Sequence, residues 1–91
     1  MSAWLAEVRV MLKASVNDPQ GLSIRNALRT LGFDVDEVRA GKLIQVRLNA
    51  ADRDAAQAAV TKMCEQLLAN PVIESYRIEL DTAAALTGAR S

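Results

Sequence analysis

The stretch with the most chemical potential is Asp18-Pro19-Gln20-Gly21. A carboxylate, a side-chain amide and a glycine this close together can hold a partner's polar atoms, and backbone N–H groups at a helix start can bind an anion. The same residues also make a plain helix start. Asp18 can cap through its carboxylate, and Pro19 fits the first helical position, where no N–H is required. That local role accounts for Asp18 and Pro19 but not for Gln20 or Gly21, and a glycine in the first turn carries a backbone-entropy cost. As a phosphate loop the segment is poor, because it lacks the glycine-rich run ending in Lys-Ser/Thr.

Three other groups could carry chemistry. Arg39 and Lys42 flank Ala40-Gly41, a tight reversal that would present two cations at a hairpin tip, either to solvent or to an acidic patch or phosphate on a partner. Asp34, Asp36 and Glu37 cluster just before it. Paired carboxylates can bind a cation or do acid–base work, but on a short exposed strand they serve better to keep a sheet edge from pairing with another chain. Cys64 is the single cysteine, and there is no histidine to activate it. It reads as a packing residue. No catalytic residue and no metal site are expected on this chain, and no cofactor.

Composition narrows the partners. The 91 residues carry 11 basic and 11 acidic side chains, so no net field draws the chain to nucleic acid or anionic lipid. No apolar run approaches the ~20 residues of a membrane span, and no signal peptide is expected at the N-terminus. One cysteine can form no intrachain disulfide, which fits a reducing cytoplasm.

The elements that must position these residues follow from periodicity. Trp4 to Ala14 alternates, with Trp4, Ala6, Val8, Val10 and Leu12 on one side, as in a half-buried strand. A helix over about residues 19–31 follows, with Ile24, Ala27, Leu28 and Leu31 as its apolar stripe and Gly32 as its C′ residue. Val35 to Arg39 reads as a short edge strand and Lys42 to Asn49 as a clearer one. A second helix over about 52–69 carries Ala56, Ala59, Val60, Met63 and Leu67 inward and stops at Asn70-Pro71. Val72 to Asp81 is the last strand. The order predicts an α+β fold of ferredoxin-like split βαβ type (βαββαβ): a four-stranded antiparallel sheet with two helices on one face. Residues 1–81 form the domain, and 82–91 a C-terminal tail.

The uncovered sheet face would carry Leu5, Glu7, Arg9, Met11 and Lys13 from the first strand, Leu43, Gln45 and Arg47 from the third, and Arg77 and Glu79 from the fourth. A small sheet with one helical layer often needs a second cover. Leu5, Met11 and Leu43 are therefore expected at an oligomer interface. An RNA-binding module would place aromatic rings where this chain has Arg9, Met11, Gln45 and Arg47.

Read in order, Val8-Arg9-Val10-Met11-Leu12-Lys13, Asn17-Asp18-Pro19-Gln20-Gly21, Ile24-Arg25-Asn26-Ala27-Leu28, Leu31-Gly32-Phe33, Val38-Arg39-Ala40-Gly41-Lys42 and Asn70 to Glu79 resemble the PurS family over about residues 4–81. Ala40 departs mildly from that pattern, and the tail after Asp81 lies outside it. The resemblance implies an oligomeric (dimer or tetramer), non-catalytic subunit of phosphoribosylformylglycinamidine synthase. It would bridge a synthetase subunit, PurL, and a glutaminase subunit, PurQ, and aid ammonia transfer between them. The complex converts formylglycinamide ribonucleotide, glutamine and ATP to formylglycinamidine ribonucleotide, with ATP and magnesium used on the synthetase subunit. Asp18, Gln20, Gly21, Arg39 and Lys42 are the residues expected to bind partners. The alternative is a small-molecule-binding regulatory module of ACT-like type, which would need a glycine-rich ligand loop that Asn17 to Gly21 matches poorly. An acylphosphatase-like enzyme would need an arginine within Ser15–Gly21, and none is there.

Overall fold

Alternating apolar residues produce the first strand, β1 (Ser2–Leu12), in the computed structural model, which describes residues 2–82. After it come α1 (Pro19–Thr30), β2 (Gly41–Ala50), α2 (Arg53–Met63) and β3 (Glu74–Thr82). β1 is central and antiparallel to both neighbours, in the order β2-β1-β3. Ala6, Val8 and Val10 point to the side covered by α2, where they pack with Val60, Cys64 and Ala69. Ile44, Val46 and Leu48 of β2 and Tyr76, Ile78 and Leu80 of β3 complete that layer but remain partly exposed.

The helix ends are built as their residues dictate. Asp18 caps α1, accepting from the Gly21 N–H at 2.9 Å, and Asp52 caps α2, accepting from the Ala55 N–H at 2.8 Å. Gly32 follows α1 with φ of 99°, the left-handed conformation that glycine adopts without penalty. The second helix does run to Leu68, but its last turn, Cys64–Leu68, is π-helical, with the Ala69 N–H donating to the Cys64 carbonyl at 3.0 Å. That wider turn brings Cys64 and Ala69, five residues apart, to the same buried side.

Two expectations about the fold need correcting. The sheet has three strands among the described residues, not four: residues 33–40 form no strand. Their acids Asp34, Asp36 and Glu37 leave little apolar surface with which to pair. The segment is held instead by side chains, Arg29 Nε donating to the Val35 carbonyl at 2.9 Å and Asp18 accepting from the Ala40 N–H at 2.8 Å. Nor does α1 lie on the sheet beside α2. It has scarcely any packing with the other elements, and Gly21 is the only residue it buries. Leu22, Ile24, Leu31 and Phe33 are exposed at 44%, 39%, 73% and 59%. The molecule is thus a slab of 51 × 34 × 14 Å with a radius of gyration of 16.5 Å. A compact chain of this length would have about 12 Å. The tail from residue 83 onward lies outside the described residues.

Candidate functional site

Asp18 is the residue around which the loop end of the molecule is assembled. It is buried, 6% exposed, and both carboxylate oxygens are used. Oδ1 takes the Gly21 N–H, and Oδ2 takes the Ala40 N–H, with Arg39 Nε 3.9 Å away. These two backbone donors, Gly21 first, and the Arg39 guanidinium hold the Asp18 carboxyl below its ordinary value, against the opposing effect of burial. One side chain therefore ties the start of α1 to the start of β2, 22 residues later.

Gly21, which helix capping alone did not require, now has a reason. A Cβ there would run into the Val38 carbonyl oxygen and the Asp18 carboxylate. The 38–40 segment passes directly over the first turn of α1, and only glycine leaves it room. Gly41 has a similar role, since a Cβ there would meet Met11 and the Val10 carbonyl.

Arg39 is not at a hairpin tip, because no hairpin forms. Its side chain is 25% exposed and donates to the Lys13 carbonyl at 2.9 Å as well as pairing with Asp18. It closes the loop after β1. Lys42 is different: it stands on the helix-facing side of β2, 56% exposed, with Nζ 3.8 Å from Glu74. Gln20 is exposed. A cleft floored by Val10, Leu12, Ala40 and Gly41 is rimmed by Asp18, Gln20, Lys42 and Glu74. Of the five expected docking residues, the structure gathers Asp18, Gln20 and Lys42 at this cleft and puts Gly21 and Arg39 in the framework behind it. Glu74 is the rim residue that sequence reading missed; nothing in its local pattern distinguished it from an ordinary strand start.

On the opposite sheet face, Met11 and Leu43 are exposed at 37% and 57%. Leu5 is only 8% exposed, between Arg47 and Asp81 in the strand register, so the chain itself already covers it. Cys64 is completely buried, and burial first, then the nearby Glu65 carboxylate, push its thiol up, away from the reactive thiolate. Trp4 closes the far end of the sheet, its indole N–H donating to the Ala50 carbonyl at 3.4 Å and its ring lying 5.5 Å from the Arg53 guanidinium. No helix among the described residues is long and apolar enough to cross a membrane.

Comparison with known proteins shows the family of the chain. A PurS subunit of phosphoribosylformylglycinamidine synthase from Bacillus subtilis is 44% identical over 80 residues, covering 87% of this chain and 94% of that protein. The PurS subunit from Synechocystis is 45% identical over 83 residues, covering 90% of this chain and 80% of that protein. Among solved structures, a crystal form of Bacillus subtilis PurS superposes with a TM-score of 0.77 at 43% identity, covering 86% of this chain and 98% of that one. A chain of the PurLQS structure from Thermotoga maritima superposes with a TM-score of 0.83 at 34% identity, covering 89% of this chain and 100% of that one. The family model for PurS, phosphoribosylformylglycinamidine (FGAM) synthase, matches residues 5–82, and the chain belongs to the PurS family.

Proposed function

We infer that this chain is the accessory, non-catalytic subunit of an FGAM synthase, joining a PurL-type synthetase subunit to a PurQ-type glutaminase subunit in the cytoplasm. Family membership supplies the reaction. The observation that carries the assembly role is α1, whose apolar stripe faces solvent while the sheet beside α2 keeps Ile44, Val46 and Leu48 half-covered. One chain thus offers both an unpartnered helix and an unfilled place for one. Two copies satisfy both by laying α1 of each on the sheet of the other, which restores two helices to one sheet face, the ferredoxin-like layering. The buried Nε of Arg25, which has no hydrogen-bond partner among the described residues, fits a position that another chain completes.

The cleft rimmed by Gln20, Lys42 and Glu74 is the surface on which the larger subunits dock, with Asp18, Gly21 and Arg39 fixing its shape. Formylglycinamide ribonucleotide, glutamine, ATP and magnesium are then handled by the larger subunits, and this chain's contribution is to hold them in register for ammonia transfer. The buried, unreactive Cys64 is consistent with that division of labour. The test is co-purification. Tagged chain should retain PurL-type and PurQ-type subunits together in the presence of glutamine and ATP-magnesium, and retention of neither would overturn the assignment.

A further inference from the structure

Charges on the open face of the sheet are segregated by the strand register. Arg9 of β1 stands directly beside Arg77 of β3, and in the next row Met11 stands beside Ser75. Directly opposed residues on antiparallel strands have Cα atoms about 4.5–5.5 Å apart, so the two guanidiniums rise from adjacent points. Like charges placed this way are unfavourable. Compensation within the chain is partial. Arg9 Nη2 reaches Glu79 at 3.3 Å, an exposed and therefore weak pair, and Arg77 makes no ion pair among the described residues. Beside them lies an open cleft of about 370 Å³, lined by Arg9, Met11, Ser75, Tyr76 and Arg77, with no acidic side chain among them. Lys13, the next residue of the β1 alternation on this face, is exposed just beyond.

We propose that this cleft binds a phosphate group, either free or as the monoester end of a larger molecule. Arg77 offers an unused fork of N–H donors, the pattern that holds a phosphate through two parallel bonds. Arg9 keeps the N–H groups that Glu79 does not take, and the Ser75 hydroxyl supplies one more donor. The cations Arg9, Arg77 and Lys13 outnumber the single carboxylate of Glu79, and the excess suits a dianion. A tetrahedral phosphate also presents oxygens to both guanidiniums at once, whereas one carboxylate fills a single fork. The bound anion thus offsets the opposition of Arg9 and Arg77 that the strand register imposes. Glu7, Glu79 and Asp81 all lie in rows on the other side of Arg9, so an anion is drawn to the Ser75 end of the face. Arg9, Ser75 and Arg77 are exposed, and the ligand reaches them without rearrangement of the fold. This site is separate from the cleft rimmed by Gln20, Lys42 and Glu74, and it adds a ligand to the assembly role without depending on that role.

The test is titration of the full chain with inorganic phosphate, read by calorimetry and by melting temperature, with sodium chloride holding the ionic strength constant. Binding should saturate, and phosphate should raise the melting temperature by linkage. Arg77→Gln should weaken binding about tenfold or more and abolish that rise. Without phosphate, the same variant should melt no lower than the unaltered protein, because it removes the like-charge opposition. That second reading separates loss of the site from loss of the fold. Arg9→Gln should weaken binding by a similar factor, while Arg47→Gln, on the same face but outside the cleft, should leave it unchanged. Glycerol phosphate, a simple monoester, distinguishes the two sources. An affinity within about tenfold of that for inorganic phosphate assigns the site to the end of a larger molecule, and a greater loss assigns it to free phosphate. No saturable binding of phosphate at constant ionic strength, or binding that Arg77→Gln leaves intact, overturns the proposal.

Discussion

At the scale of single residues, Asp18 and Arg39 hold more than Lys42 does, although all three are charged residues in the same region. Asp18 binds two backbone N–H groups, one of them 22 residues away, and its carboxyl is held below the ordinary aspartate value of 3.8. A carboxylate whose folded value is depressed contributes stability that is fully present above the unfolded value and lost as pH falls through the folded one. Asp18→Asn should therefore lower the melting temperature at pH 7 and flatten its fall below about pH 4. Melting curves at several pH values read both effects. The paired cations separate by the same logic. Arg39→Ala removes the hydrogen bonds to the Leu12 and Lys13 carbonyls and the ion pair with Asp18, and should destabilise the fold. Lys42→Ala breaks one long, half-exposed pair and should change stability by no more than about 0.5 kcal/mol. Lys42→Ala should instead weaken binding of the larger subunits, most visibly at low salt, where attraction is least screened. Equal stability losses for the two variants would contradict this division.

At the scale of elements, α1 is the piece whose surroundings the chain alone does not provide. Its helical periodicity, its Asp18 cap and its Gly32 stop are all local features, and each was legible in the sequence. Where the helix lies was not, because an apolar stripe specifies burial without saying which chain supplies the cover. Changing Leu28 and Leu31 to Glu should leave the content of secondary structure nearly unaltered, since Leu31 is 73% exposed in the isolated chain, while abolishing the α1-dependent association. Circular dichroism with light scattering separates the two effects, and an unchanged mass would place the α1 stripe outside the interface. The same reasoning explains the missing strand. Residues 35–39 have the alternation of an edge strand, but charge and the clamps from Asp18 and Arg29 win over weak local propensity. The strands β1, β2 and β3 and the sides their residues face were read correctly, because period two and a single buried face fix register strongly. Gly21 and Glu74 could not be read, because each depends on contacts between segments far apart in sequence.

At the scale of the whole molecule, the chain is a thin slab with apolar side chains left exposed. Its radius of gyration of 16.5 Å exceeds the ~12 Å of a compact chain because one helix stands away from the sheet. One sheet face is half-covered, and the other leaves Met11 and Leu43 exposed. The cleft at the loop end has a polar rim on a framework fixed by Asp18. Surfaces of these kinds organise other chains, and the family assigns those chains to FGAM synthesis. The measurement that tests this most directly is glutamine-dependent formation of formylglycinamidine ribonucleotide by purified PurL-type and PurQ-type subunits with ATP and magnesium, with and without this chain. Product formation should depend on adding the chain, and the chain alone should show no glutaminase or ATPase activity. The same rate of glutamine-dependent synthesis in its absence would contradict the accessory role.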